Sequence, residues 1–247
     1  MANVIWHEFP ASEALAEALA DAVARSLAEA LETRGQAGLA VSGGNTPVAF
    51  FQALSRKDLD WPRVTVTLVD ERFVPPSSER SNAALAAQHL LQNEAAQARF
   101  VGLHHDLQTV EEAADRADED IGRIPLPLDA AVLGMGLDGH TASFFPDAED
   151  IALKLGVDDR RVLPIHARSA GEPRLTLSVP LICKARLLTL HIEGEEKRRV
   201  IEAALAEEAG AKLPVRVVVE QAGEPVHIYW APNAASTPSG APTAPTS

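Results

Sequence analysis

A glycine-rich stretch in the middle of the chain carries the side chains best suited to proton transfer. It reads Gly134-Met-Gly-Leu-Asp-Gly-His140 and presents Asp138 two residues before His140. The unperturbed pKa of a histidine, ~6.5, suits a general base that takes a proton from water at neutral pH. The stretch could therefore present a catalytic histidine beside a carboxylate. The alternative is that His140, like most single histidines, is an ordinary surface or core residue.

A second loop has the composition of an anion site and follows a short apolar strand candidate. Two adjacent glycines would let the backbone approach a ligand closely, and the next helix would point its free N–H groups at an anion. Three neighbouring side chains can add hydrogen bonds. The loop could bind a phosphate, or it could be a tight turn with Thr46 as the helix cap. Its candidate binding residues are Ser42, Gly43, Gly44, Asn45 and Thr46.

A third candidate is the charged triplet Asp70-Glu71-Arg72, which follows a strand of β-branched residues. An arginine at this point can hold a phosphate through two parallel hydrogen bonds. The two carboxylates could orient Arg72 or act as acid and base, and a solvated cluster of charges is equally compatible with the triplet. In open α/β sheets the ligand lies outside the carboxyl ends of the strands. We therefore expect the three loops to be neighbours in space.

The same residues also permit two weaker interpretations. The stretch 134–139 matches the letters of a dinucleotide-binding fingerprint, but Pro146 prevents the long helix that this motif requires. Ser42 stands between a strand and a helix, as in a nucleophile elbow with its first glycine replaced by alanine. A serine esterase would then need Asp138 with His191 or His227 as its partners. A triad is recognised by geometry, so the sequence leaves this hypothesis open.

Composition limits the classes of function. The chain has 247 residues, with 22 basic and 35 acidic side chains and a formal net charge of −13. Nucleic-acid binders neutralise phosphates with Lys and Arg, so we expect no nucleic-acid partner. Cys183 is the single cysteine, which excludes an intrachain disulfide and a cysteine-based zinc site. The chain has no apolar run of membrane-spanning length and no signal-peptide pattern at its start, so we expect a cytoplasmic protein without a membrane partner.

Helix and strand candidates alternate along the chain, which is typical of an α/β fold with a mostly parallel sheet flanked by helices. From Leu15 to Leu31 an aliphatic residue recurs every four positions, which predicts an amphipathic helix over 14–31. Ser12 is its predicted cap and Gly35 its predicted end. The other predicted helices are 48–54, preceded by Pro47 at the first helical position, 82–92, capped by Ser81, 110–124 and 195–208. The predicted strands are 38–41, 64–69, 128–133, 187–192 and 226–230, and 215–219 could be a strand or a buried helix.

The end of the chain differs in composition from the rest. Residues 234–247 are only Ala, Ser, Thr, Pro and Gly, which cannot build a hydrophobic core. We therefore expect a single α/β catalytic domain over 1–233, followed by a disordered tail over 234–247.

Taken together, the motifs resemble those of the 6-phosphogluconolactonases. The resemblance extends over about residues 4–232 and implies the modified Rossmann-like fold shared with the glucosamine-6-phosphate deaminases. The segments that carry it are Ser42-Gly-Gly-Asn-Thr-Pro47, Asp70-Glu-Arg-Phe-Val-Pro75, Ser81-Asn82, Gly134 to Pro146, Arg174-Leu-Thr-Leu-Ser178, Gly194-Glu-Glu-Lys-Arg198 and Trp230.

The resemblance implies hydrolysis of 6-phospho-D-glucono-1,5-lactone to 6-phospho-D-gluconate, the second step of the pentose phosphate pathway, without a cofactor or a metal. Residue by residue, it makes His140 the general base and places Asp138 beside it as an assisting or orienting group. The loop 42–46 would contact the sugar phosphate, and we expect the protein to be a monomer. The cations that would handle the phosphate are Arg72, Arg174 and Lys197.

The main alternative is the aldose–ketose chemistry of the glucosamine-6-phosphate deaminases and isomerases, which share the fold. Those enzymes have Asp-Glu-Tyr where this chain has Arg72 in third place. They also carry a catalytic Glu five residues after the histidine, where this chain has Phe145. Both differences favour the lactonase. A module that binds sugar phosphates without converting them is a third hypothesis, and the presence of His140 argues against it.

Overall fold

The computed structural model describes residues 3–206 and 213–233. The predicted tail over 234–247 and the predicted helical positions 207 and 208 lie outside these ranges. The helices are α1 (Ser12–Arg34), α2 (Val48–Leu54), α3 (Asn82–His89), α4 (Val110–Ile121), α5 (Ile151–Lys154), α6 (Val179–Cys183), α7 (Glu195–Leu205) and α8 (Pro214–Gln221). The strands are β1 (Val4–Glu8), β2 (Ala37–Val41), β3 (Val64–Leu68), β4 (Asp70–Arg72), β5 (Arg99–Val101), β6 (Ala130–Leu133), β7 (Val162–Ile165), β8 (Arg174–Leu177), β9 (Leu187–Glu193) and β10 (Val226–Ala231).

Seven strands form a parallel central sheet in the order β1-β10-β9-β6-β2-β3-β5. Strands β2, β3 and β6 are buried along their whole length, as expected for strands covered on both faces. The prediction of a mostly parallel sheet flanked by helices is confirmed. The carboxyl ends of β2, β6 and β9 are adjacent in this order, so the loops after them open at one edge.

The long first helix forms because its apolar residues share one face. Leu15, Leu19 and Leu27 are fully buried against the sheet, which confirms the helix predicted from their spacing. Gly35 ends the helix in a left-handed conformation at φ 73°, and its N–H donates to Leu31 O at 3.0 Å. The predicted cap is wrong, because Ser12 is already helical and its hydroxyl donates to Glu193 Oε2 at 2.7 Å instead.

The shorter helices that the sequence predicted also form in the structure, whereas α5 and α6 were not predicted. The Ser81 hydroxyl accepts the N–H of Ala84 at 3.2 Å, which confirms it as the cap of α3. Helix α2 begins at Val48, one residue after the predicted first position at Pro47. The ambiguous segment 215–219 belongs to helix α8. No helix in the described ranges has both the length and the apolar character needed to cross a membrane.

A small antiparallel sheet, β4-β8-β7, was not predicted. The triplet Asp70–Arg72 was predicted to be a loop, whereas it forms a strand that pairs with β8. The charged triplet has no hydrophobic alternation, and its partner lies about a hundred residues further along, so local pattern could not reveal the pairing. As a consequence Arg72 lies directly opposite Arg174 in the register.

Candidate active site

A cavity of about 320 Å³ opens at the carboxyl edge of the central sheet. The three loops expected to be neighbours all contribute to its wall. Of the site residues that the family resemblance implied, only Asp138 does not line it, because Asp138 stands behind His140. The lining residues that were predicted are Ser42, Gly43, Gly44, Asn45, Thr46, Arg72, His140, Arg174 and Lys197.

His140 and Asp138 form a directly bonded pair. Their atoms Nδ1 and Oδ1 are 2.6 Å apart, and the backbone N–H of His140 donates to the same carboxylate oxygen at 3.2 Å. Because Nδ1 is engaged by Asp138, Nε2 is the ring nitrogen left for a substrate or a water. A Cβ on Gly136 would collide with the imidazole, so only glycine permits this turn. The ring of Phe145 packs on His140 with centroids 4.3 Å apart.

The loop 42–46 is fixed to its neighbours by the backbone. Ser42 N–H donates to Val132 O at 3.0 Å, and its hydroxyl accepts the N–H of Gly134 at 3.3 Å. Gly43 lies against the side chain of Asn82, and a Cβ at this position would overlap the Asn82 amide. The loop therefore brings its backbone to the cavity wall before helix α2 begins, as an anion-binding loop requires.

Two hypotheses from the sequence are not supported by this arrangement. Asp138 bonds to His140, whereas His227 lies on β10 beside His7, with ring nitrogens 2.9 Å apart. The Ser42 hydroxyl accepts the N–H of Gly134, and neither ring nitrogen of His191 has a hydrogen-bond partner among the described residues, so no serine triad is connected. The glycine-rich stretch 134–139 is followed by turns, and the next helix starts only at Ile151, so the dinucleotide fingerprint lacks its helix.

Glu71 lies behind the cavity wall and fixes the backbone around Arg72. It is fully buried and accepts hydrogen bonds from the N–H groups of Arg72, Asn82 and Ala83 at 2.7–2.8 Å. The Ser81 hydroxyl adds a fourth at 3.0 Å. Burial raises the pKa of Glu71, while these donors oppose the shift. Glu71 thus holds the start of α3 and the backbone of Arg72, and it does not line the cavity.

The two arginines face each other across β4 and β8. Arg72 donates to Asn82 Oδ1 at 3.0 Å and to Arg80 O at 2.6 Å. Arg174 is 8% exposed, donates to Ala170 O at 2.9 Å and lies over the ring of Phe145 at 5.6 Å. Burial lowers the pKa of Arg174. Neither arginine Nε atom has a hydrogen-bond partner among the described residues, so both retain a free donor.

Two acidic residues balance these cations. Glu172 lies 3.3 Å from Arg174 Nη2, 3.9 Å from Arg72 Nε and 2.5 Å from Arg80 Nη2. Glu172 was not predicted from the sequence, although it stands two residues before Arg174. Asp70 is 7% exposed, lines the cavity and accepts the Ser143 hydroxyl at 2.6 Å.

Lys197 completes the wall from the first turn of α7. Burial lowers its pKa, and the nearby Glu193 carboxylate opposes that shift. Other residues that line the cavity had no predicted binding role, among them Asn82, Met135 and Phe145; His191, considered only as a possible partner of Ser42, lines it as well. The motif Ser81-Asn82 was a usable signal for the first of them. His191 is buried within a strand, and no local pattern marks it as part of a site.

In chemical terms, the cavity combines a histidine–aspartate pair with three cations and a glycine-rich backbone. A model of the family described as glucosamine-6-phosphate isomerases/6-phosphogluconolactonase matches residues 10–230. The chain belongs to this family. It is 53% identical over 232 residues to a 6-phosphogluconolactonase of Mesorhizobium japonicum. The aligned region covers 94% of this chain and 97% of that protein. A 6-phosphogluconolactonase of Rhizobium meliloti is 51% identical over 227 residues, or 92% of this chain and 98% of that protein.

Solved structures agree with the family assignment. The crystal structure of a 6-phosphogluconolactonase from Shewanella baltica superposes with a TM-score of 0.89 at 39% identity, covering 92% of this chain and 97% of that chain. A 6-phosphogluconolactonase from Thermotoga maritima, at 22% identity and a TM-score of 0.78, shares the fold. The family resemblance and the fold predicted from the motifs are both confirmed.

Proposed function

We propose that this chain is a lactonase that hydrolyses 6-phospho-D-glucono-1,5-lactone to 6-phospho-D-gluconate, with His140 as the general base. The observation that carries the proposal is the His140–Asp138 pair, 2.6 Å apart, in a cavity that three cations also line. The names of the relatives at 53% and 51% identity support the same substrate. The reaction belongs to the oxidative pentose phosphate pathway, and we place it in the cytoplasm, within a single catalytic domain over 1–233.

Substrate binding must overcome the charge of the protein. A phosphate monoester carries about −1.5 to −2 charges at pH 7, and the chain itself carries −13. Arg72, Arg174 and Lys197 reverse the sign of the field locally, and the backbone of the loop 42–46 adds donors. Binding energy from the phosphate then positions the lactone carbonyl, which is remote from the phosphate, against His140.

The chemical step needs one proton to move twice. His140 Nε2 removes a proton from a water molecule, and the water oxygen forms a bond to C1 of the lactone. Asp138 holds the ring through Nδ1 and stabilises the imidazolium that results. The tetrahedral intermediate collapses by breaking the bond from C1 to the ring oxygen. The imidazolium returns its proton to that leaving oxygen, so water and lactone are converted to the open-chain acid.

The test is lactone hydrolysis by wild-type protein and by His140→Ala. The phosphorylated lactone is generated in situ, and its decay is followed after subtraction of spontaneous hydrolysis. We expect kcat to fall by roughly 10²–10⁴-fold in His140→Ala, the usual contribution of general acid–base catalysis, with KM within about threefold. The matched control is His166→Ala, because His166 bonds to Glu111 at 2.7 Å and lies outside the cavity.

Two results would contradict the proposal. Full activity in His140→Ala would remove His140 from the role of base. Glucosamine 6-phosphate is assayed in parallel with ammonia as the readout. Ammonia release without acceleration of lactone hydrolysis would replace lactonase activity with deaminase chemistry, and would direct attention to the cavity carboxylate of Asp70.

A further inference from the structure

His191 is a buried polar side chain in the wall of the same cavity, and its ring nitrogens lack hydrogen bonds among the described residues. It lies near the carboxyl end of β9 and is 3% exposed. Neither ring nitrogen makes a hydrogen bond within the part of the chain that the structure describes. Buried polar groups in folded proteins are almost always hydrogen-bonded, since an unmade bond costs folding free energy. A nitrogen left unpaired beside a binding cavity therefore calls for a ligand.

The residues around His191 pack against its ring without forming a hydrogen bond to it. The ring of Phe50 meets it edge-on with centroids 6.3 Å apart. Glu193 Oε1 lies 3.4 Å from His191 Nε2 without hydrogen-bond geometry, and Oε2 of the same carboxylate accepts the Ser12 hydroxyl at 2.7 Å. Because the second torsion of histidine has broad preferences, the ring can turn one nitrogen toward the cavity.

His191 belongs to the same structural unit as Lys197. Strand β9 ends at Glu193, Gly194 makes the turn, and Lys197 lies in the first turn of α7. Both side chains line the cavity, and the cation of Lys197 attracts an anion to this part of the wall. A neutral or protonated imidazole can donate a hydrogen bond to an anionic oxygen placed there.

We propose that His191 is a further substrate-binding residue, which receives the phosphate group together with Lys197. The inference rests on the proposed lactonase function and adds a specificity-determining side chain to it. His191 thereby contributes to the preference for a phosphorylated lactone over an unphosphorylated one, while His140 carries out the proton transfers on either.

The experiment compares two substrates, 6-phosphogluconolactone and glucono-1,5-lactone, in wild type and His191→Phe. Phenylalanine keeps a ring against Phe50 and removes both nitrogens. We expect KM for the phosphorylated lactone to rise about tenfold, with kcat/KM for the unphosphorylated lactone within about twofold. The melting temperature should stay close to that of wild type, because Phe keeps the ring packing against Phe50 and Glu193 keeps the Ser12 hydroxyl as a donor. His191→Gln, which retains a donor, should recover part of the loss.

The control is His227→Phe, the same substitution on the neighbouring strand β10 outside the cavity, which should leave both KM values unchanged. An unchanged KM in His191→Phe, or an equal loss on both lactones, would overturn the inference. If His191→Phe fails to fold, nitrogen-15 NMR of histidine-labelled wild type decides. Addition of inorganic phosphate should then shift the His191 ring resonances, and unshifted resonances would reject the role.

The failure of this inference can be distinguished from a failure of the proposed function. If the wild-type protein hydrolyses neither lactone, the lactonase proposal fails. Calorimetric titration with 6-phosphogluconate and with gluconate still tests His191. Tighter binding of the phosphorylated acid that is lost in His191→Phe supports the inference, and equal binding of both acids by wild type contradicts it.

Discussion

The cavities at the two edges of the central sheet differ in volume, and the buried polar groups around them differ in how they are hydrogen-bonded. The carboxyl edge holds the cavity of about 320 Å³ with His140 and Arg174. A larger cleft of about 930 Å³ lies at the amino edge, where Leu126 precedes β6 and Arg186 precedes β9. The larger opening includes Cys183, whose thiol pKa burial raises to about 12, so it is not a nucleophile at neutral pH.

The buried carboxylate of Asp129, which precedes β6 at the amino edge, finds its partners within the fold. Asp129 is fully buried, accepts the N–H of Gly38 at 2.9 Å and forms an ion pair with Arg34. On the outer strands β1 and β10, the half-buried His7 and His227 pair with each other at 2.9 Å. At the carboxyl edge, free donors remain on Arg174 and His191 among the described residues. Six described residues have a buried polar atom without a hydrogen-bond partner; three of them line the smaller cavity and none lines the larger cleft. The distribution of these unpaired atoms therefore indicates the binding site better than cavity volume does.

The largest effect that separates the two edges is expected from matched arginine substitutions. Arg174→Met removes a buried cation from the cavity, and a hydrogen bond to a charged group contributes ~1.5–3 kcal/mol. We expect kcat/KM for the phosphorylated lactone to fall by roughly 10–100-fold, mainly through KM. Arg186→Met removes a cation that is 58% exposed and 3.6 Å from Asp129, so kcat/KM should stay within about twofold. Steady-state kinetics of both variants measure the difference.

Equal kinetic losses in the two arginine variants would contradict the assignment of substrate binding to the carboxyl edge, because the amino edge would then contribute to it. Denaturant unfolding provides the structural control. Arg174→Met should also lower the free energy of unfolding, because it removes a cation that lies close to the carboxylates of Glu172 and Asp70. A kinetic loss that is fully explained by a smaller folded fraction would move Arg174 to a structural role.

A smaller effect concerns the pH dependence of stability at the histidine pair on the outer strands β1 and β10. Burial lowers the pKa of His7, and burial together with His7 lowers the pKa of His227. The unfolded chain then binds more protons than the folded chain below the unfolded pKa of ~6.5. The contribution of the pair to stability is complete above that pH and is lost as the pH falls through the lowered values.

Urea unfolding at pH 7 and pH 5 tests this expectation in wild type and in the double variant His7→Gln/His227→Gln. The decrease in unfolding free energy from pH 7 to pH 5 should be smaller in the double variant, while kcat/KM at pH 7 remains unchanged. An identical decrease in both proteins would show that other groups determine the acid sensitivity.

The smallest effect is expected at Cys183. Its thiol is buried and lies 3.4 Å from Val218 O, and its raised pKa keeps it protonated. Cys183→Ala should leave kcat/KM within about twofold, and iodoacetamide should label the folded wild type far more slowly than the unfolded chain. Rapid labelling of the folded protein with loss of activity would show that modification of Cys183 in the larger cleft affects catalysis in the smaller cavity.

The sequence by itself determined the elements whose signals are local. The spacing of Leu15, Leu19 and Leu27 established helix α1, because these residues share one helical face and bury it together. Gly35 and Ser81 ended and capped helices through their own backbone and side-chain chemistry. The loops after β2 and β6 met at one edge, because all paired strands of the central sheet are parallel.

Only the tertiary structure decided how distant residues complete the cavity. Strand β4 pairs with β8, which places Arg72 opposite Arg174, and no alternation in a three-residue charged strand predicts that pairing. Ser12 binds Glu193 across 181 residues instead of capping its own helix. The role proposed for His191 rests on its burial without a hydrogen-bond partner among the described residues. Pairing, ion contacts and desolvation arise between segments far apart in the chain, so they are properties of the packed molecule that local sequence does not encode.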